Sequence, residues 1–221
     1  ATIDSDRTTG GIQINNIMSN SNVKIQNIYI GGNSGIQINH TNQASNIEKD
    51  TLSLSDMYLL KSGSLNTIST YNTGFLQINA VHFSGTSSID NRSLFLDTKN
   101  VNIQNSYFYD INHDLNSQGH VLYNKKETAQ ITFSNCLFMK NPNSVNPIDF
   151  QSTGKIFLLE GGIGTTLLIQ NSVLTVNGFQ TSEDYFYVQS GGEIILKNSL
   201  INVSIPSSYN RENNIIQKSP L

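Results

Sequence analysis

VNIQNSYF (residues 101–108) and ITFSNCLF (131–138) begin thirty residues apart and share an apolar residue at positions one, three and eight and Asn at position five. The same template fits VKIQNIYI (23–30), LSLSDMYL (52–59), LQINAVHF (76–83), LLIQNSVL (167–174) and IILKNSLI (194–201). All three apolar columns hold in all seven copies, which begin 29, 24, 25, 30, 36 and 27 residues apart. The fifth column reads Asn27, Asp56, Ala80, Asn105, Asn135, Asn171, Asn198. A repeat of this length means one supersecondary unit stacked on itself.

Upstream of the copies lie short alternating runs: GIQIN (11–15 and 35–39), NTIST (66–70), SLFLD (93–97), HVLYN (120–124), KIFLL (155–159), YFYVQ (185–189) and NIIQK (214–218). Alternation with period two reads as strand. No stretch repeats apolar residues at helical spacing for long enough to make a helix. Each unit is therefore a short strand, a loop, a second strand, a one-residue bend at Asn, and a third strand. Asn suits that bend because it tolerates the left-handed conformation. Stacked Asn amides can also bond from layer to layer, as in cross-β ladders. Ala80 is expected to interrupt such a ladder.

One unit cannot bury its own apolar side, whereas stacked units share a continuous core. The expected fold is all-β: a right-handed parallel β-helix, or solenoid, of three short strands per turn and about seven to eight turns, over residues 1–221 as a single domain. The inward residues of the first strand are expected to be Ile12 and Ile14, Ile36 and Ile38, Leu94 and Leu96, Ile156 and Leu158, Phe186 and Val188. Cys136 follows a bend Asn in a column of Ile, Met, Val and Ser. It reads as a small packing residue rather than a nucleophile.

Across nearly its whole length, on these octads, the chain resembles the pectin-lyase-like β-helix superfamily. Its Asn- and Ser-rich, charge-poor style is most similar to non-enzymatic segments of large surface proteins of protists such as ciliates. The resemblance implies that any catalytic groups would gather on the outer side of the first strand and its loops. There the sequence shows Gln13, Gln37 and Ser69 and then apolar residues, and none of the Asp-Asp, His-Gly or Arg-x-Lys signatures of polygalacturonases.

Charged residues make up 13% of the chain and net charge is −3. That is about half the usual charged share, yet the apolar content is too high for a disordered chain. No Lys/Arg cluster exceeds Lys125-Lys126, so nucleic-acid binding lacks its electrostatic footprint. No apolar run reaches the length of a membrane span. One cysteine rules out an internal disulfide.

On a rod of this kind, function lies on outer faces and loops. Phe95, Leu122, Phe157, Tyr187 and Ile216 read as the outward centres of consecutive first strands, a stripe about 20 Å long at ~4.8 Å per turn. Such a stripe is either a partner face or the bed of a long loop such as 140–154. Tyr29, Tyr58, His82 and Tyr107 form an outward column of the third strand. Tyr29, Tyr58 and Tyr107 are a candidate sugar platform, although cross-layer stacking explains the same row.

DINHD supplies Asp110 and Asp114 as candidate ligands for a hard cation, with Asp149, Glu183 and Asp184 in later loops; a solvated loop explains them equally. Asn39, Asn91 and Asn202 head glycosylation sequons, informative only if the chain is secreted. Neither end carries a polar cap, so the chain is expected to be a segment of a longer rod or to associate end to end or laterally. The leading expectation is a non-catalytic structural or adhesive rod at the cell surface or outside the cell. It would need no cofactor, and its partners would be other proteins or flanking parts of the same chain. The alternative is a carbohydrate-active β-helix, binding or cleaving a glycan, with Asp110, Asp114 and Asp149 as candidate acids.

Overall fold

The computed structural model describes residues 2–4, 11–14, 22–31, 37–41, 50–61, 67–85, 92–109, 112–113, 121–139, 151–152, 156–175, 186–189, 191–201, 210–212 and 215–216. These residues are all strand, turn or short connection, with no helix.

The octads are rungs of one parallel sheet. Their first column runs in direct register from Val23 through Leu52, Leu76, Val101, Ile131 and Leu167 to Ile194. Each octad's second strand leads through its bend into a third strand, as in Thr98–Gln104 and Tyr107–Tyr109. Second and third strands together form a 15-stranded sheet. The first strands form a separate 7-stranded sheet: Gly11–Ile14, Gln37–Thr41, Ile68–Tyr71, Leu94–Leu96, Leu122–Asn124, Phe157–Leu159 and Phe186–Val188. The molecule is a parallel β-solenoid.

The core lies between these walls. Columns one, three and eight of every octad are buried, apart from the half-buried Val23 and Ile25 in the copy nearest the start of the chain. In the eighth column Phe83, Phe108 and Phe138 stack with centroids 4.6 and 5.0 Å apart. Phe133 meets Phe108 and Phe138 edge-on. Offset-stacked and edge-on pairs suit the ring quadrupole, and burying each side chain contributes roughly 2 kcal/mol.

All seven fifth-column residues are left-handed, with φ from 49° to 57°. Ala80 takes the same conformation at φ 53° without the tolerance of Asn. At its level the amide chain passes instead to its sequence neighbour Asn79. Asn105 Nδ2 donates to Asn79 Oδ1 at 2.8 Å, one residue before Ala80, and Asn135 Nδ2 donates to Asn105 Oδ1 at 3.3 Å.

The bend also exposes a backbone accounting problem, because every buried N–H needs an acceptor. The fifth residue's N–H reaches the next coil's fourth carbonyl, as Asn135 does to Gln170. The seventh residue's N–H reaches the previous coil's sixth carbonyl, as Leu137 does to Ser106. The sixth N–H is left over, and in three coils a serine of the next coil takes it. Val81 N donates to Ser106 Oγ, Cys136 N to Ser172 Oγ and Ser172 N to Ser199 Oγ, at 3.1–3.3 Å. Each hydroxyl then donates to the carbonyl two residues before it. From Ser106 to Ser199 the sixth column is therefore a buried file of hydrogen-bonded serines interrupted by Cys136, whose thiol donates to Ser134 O at 3.3 Å, whereas Ile28, Met57 and Val81 fill it in the lower coils.

Candidate interaction surface

The column of the first-strand sheet that points away from the core is fixed by pairing: Ser69, Phe95, Tyr123, Leu158, Tyr187, of which Ser69 and Leu158 are themselves buried. This corrects the sequence reading at four positions: Leu122, Phe157 and Ile216, read as outward, and Leu158, read as inward. Leu122 and Phe157 face inward and are fully buried, as is Leu159, in place of the outward Leu158. Phe157 stacks on Phe186 at 5.3 Å and receives Phe133 and Phe138 edge-on. Ile216 lies in the other sheet, paired with Ile201. The cause is physical. Val121-Leu122 and Ile156–Leu159 are apolar at both parities, so alternation carries no phase there, and a slip of one residue exchanges the two faces. Lower down, Ile12 pairs with Ile38, not with Ile36, which lies outside the described residues.

Phe95 and Tyr187 are on the outward column, and residues that the sequence reading missed surround Phe95. The Tyr123 ring stacks on Phe95 at 5.2 Å and 15°, and Tyr71 tilts against Phe95 at 6.1 Å. The Arg92 guanidinium lies 5.4 Å from the Phe95 centroid and 4.9 Å from that of Tyr123. Lys125 Nζ lies 5.4 Å from Phe95 and 5.9 Å from Tyr71. Tyr123 Oη donates to Glu160 Oε2 at 2.7 Å. Burial first, then the hydrogen bond and negative charge of Glu160, push the phenol up to about 12 against the opposing pull of Arg92. Lys126 pairs with Asp97 at 3.6 Å and donates to Asn72 Oδ1 at 3.2 Å. In a charge-poor chain, two cations flanking aromatic strands were the available signal.

Cations held over ring faces are worth about 0.5–1 kcal/mol at exposed sites. They also keep an apolar face wet at its rim. Tyr71 and Tyr187 are 36% and 39% exposed. The result is an aromatic surface edged by positive charge, set on a rigid wall.

The second aromatic row is built differently. Tyr29 stacks on Tyr58 at 5.2 Å and 9°, Tyr58 tilts to His82 at 5.9 Å, and His82 meets Tyr107 at 4.3 Å. Burial lowers the pKa of His82. Cross-layer ring contacts hold the row together, and Tyr29, at its end, is 43% exposed.

Asp110 and Asp114 lie outside the described residues, as do Asp149, Glu183, Asp184, Asn91 and Asn202. The nearby Asn112–His113 pairs in parallel with Gln151–Ser152. Asn39 pairs with Gln13 and Ser69. Among the described residues no group of three or more His, Cys, Asp or Glu is placed to hold a metal, and no helix is long and apolar enough to cross a membrane.

No family model, curated protein or solved structure matches the chain.

Proposed function

We propose that this chain is a non-catalytic structural or adhesive rod of an extracellular or cell-surface assembly, acting through protein–protein contacts. The observation that supports this reading is the surface of Tyr71, Phe95 and Tyr123 under Arg92 and Lys125, held on an unbroken ladder of parallel strands. Aromatic and Arg side chains are the types enriched where proteins meet. The octads and their left-handed bends favour kinship with the pectin-lyase-like β-helices, and the composition favours protist surface proteins among them. Partners on this reading are a second copy of the chain, flanking parts of a longer chain, or another protein of the same assembly.

The test is sedimentation across a concentration series, together with a panel of acidic and neutral glycans assayed for binding and for release of reducing or unsaturated ends. Concentration-dependent association that weakens in a Tyr71→Ala, Arg92→Ala double variant, with no glycan turnover, is the expected result. Turnover that is lost in Asp114→Asn overturns the reading in favour of a carbohydrate-active enzyme.

A further inference from the structure

Tyr29 and Tyr58 are direct partners on adjacent parallel strands, Tyr29–Gly31 and Thr51–Lys61. Tyr58 N donates to Ile28 O at 3.0 Å, which fixes the two backbones beside each other. Their rings are nearly parallel, 9° apart, with centroids at 5.2 Å. Tyr29 is 43% exposed, so a small oxidant or an enzyme's haem edge reaches it. The next ring along the row is His82, which has no phenol. Tyr29 is therefore the phenol that Tyr58 faces within the column. We infer that Tyr29 and Tyr58 are a site of oxidative cross-linking, coupled as dityrosine by a peroxidase using hydrogen peroxide.

The step balances. Each phenol loses one electron and its hydroxyl proton, giving two phenoxyl radicals. These join through one ortho carbon of each ring, forming a C–C bond. The hydrogen on each joined carbon then moves to its oxygen, restoring both phenols. Hydrogen peroxide takes up the two electrons and two protons and leaves as two waters. Rung spacing of about 4.8 Å brings the rings within reach through side-chain rotation alone.

The link would join positions 29 residues apart in sequence. Closing a loop of that size restrains the unfolded chain as a disulfide does. The single cysteine, Cys136, is buried and offers no such bridge. Tyr107 and Tyr109 are an internal competitor at 5.6 Å and 35°, but they sit on one strand two residues apart, where a link closes almost nothing. The inference stands on ring geometry and does not depend on the scaffold reading.

The experiment treats the whole chain at low concentration with a haem peroxidase and hydrogen peroxide. The expected product is a monomer lighter by a pair of hydrogens, with dityrosine fluorescence, a peptide map joining Tyr29 to Tyr58 and a melting temperature several degrees higher. Tyr29→Phe and Tyr58→Phe, which keep the stacked rings, each lose the product, whereas Tyr187→Phe retains it. Links formed only between molecules, links mapped mainly to Tyr107–Tyr109, or an undiminished product in Tyr29→Phe overturn the site. A mapped Tyr29–Tyr58 link without a rise in melting temperature overturns its role as a staple.

Discussion

After its second strand every coil turns on a single left-handed residue, from Asn27 to Asn198, and the strands on either side keep one register throughout. Before the second strand the coils disagree. Near Asn72 and Asp97 the corner is one residue between Ile68–Tyr71 and Thr73–Gly85, and between Leu94–Leu96 and Thr98–Gln104. Higher up it lengthens to 125–129, 160–165 and 189–192, with left-handed Thr128, Gly164 and Gly191 each two residues before the paired strand positions. Gly164 sits over Thr128, and a Cβ on Gly191 would come within 2.5 Å of Ile163, so the long corners also stack.

Asn124 and Lys126 bridge the change from short to long corners. Buried Asn124 accepts from Lys126 N at 2.9 Å and donates to Thr98 O at 2.9 Å. Lys126 reaches back to Asp97 and Asn72. One corner is thus specified by a residue type, and the other by length together with a few local hydrogen bonds. A specified corner pins the register of the strands it joins; an unspecified one leaves register to packing.

Breaking the core on the unpinned side has the largest expected effect. Phe157→Ala should cost about 3–5 kcal/mol in denaturant unfolding, because it empties a site between Phe133, Phe138 and Phe186. Tyr123→Ala, its outward neighbour one coil below, should cost well under half of that. Equal costs would mean that the register of the first strands is wrong.

Next come the polar keystones of the two corners. Ser172→Ala strands the Cys136 N–H at the pinned corner, and Asn124→Ala strands the Thr98 carbonyl and Lys126 N–H at the other; each should cost about 1–3 kcal/mol. Thermal melts of both variants compare the corners directly. A smaller gain is expected from Ala80→Asn, which relieves a left-handed alanine and should add about 1 kcal/mol.

The smallest effect at neutral pH concerns Cys136. Burial pushes its thiol from 9.0 up to about 11 in the folded chain. A raised acid is neutral in both states below 9.0, so its contribution is complete there. It is lost as pH rises through 11. Thiol reagents should label Cys136 only on unfolding at neutral pH, and stability should fall in that alkaline window.

The same contrast explains what was legible in the sequence. The octads were readable because one residue in eight has a conformational reason to be Asn, and it phases the apolar columns around it. The sixth-column serines were visible as letters, but their use as acceptors for a leftover N–H emerges only when one coil lies on the next. The first strands had no such marker. Where Val121-Leu122 and Ile156–Leu159 are apolar throughout, only pairing with Leu94–Leu96 and Phe186–Val188 sets the phase. The cluster around Phe95 was hidden for the same reason, since Tyr123 reads as inward under the slipped register, and Arg92 and Lys125 join it through space.

The central claim is that the seven octads are successive rungs of one parallel ladder. Spin labels at the equivalent outward positions Lys24, Gln77, Asn102 and Ile195 test it by pulsed dipolar spectroscopy. Rungs about 4.8 Å apart place the Gln77–Ile195 pair roughly 19 Å and the Lys24–Ile195 pair roughly 29 Å apart along the axis, with Lys24–Asn102 nearer 14 Å. Distances that rise in proportion to rung number would bear the account out; distances that do not order by rung number would contradict it.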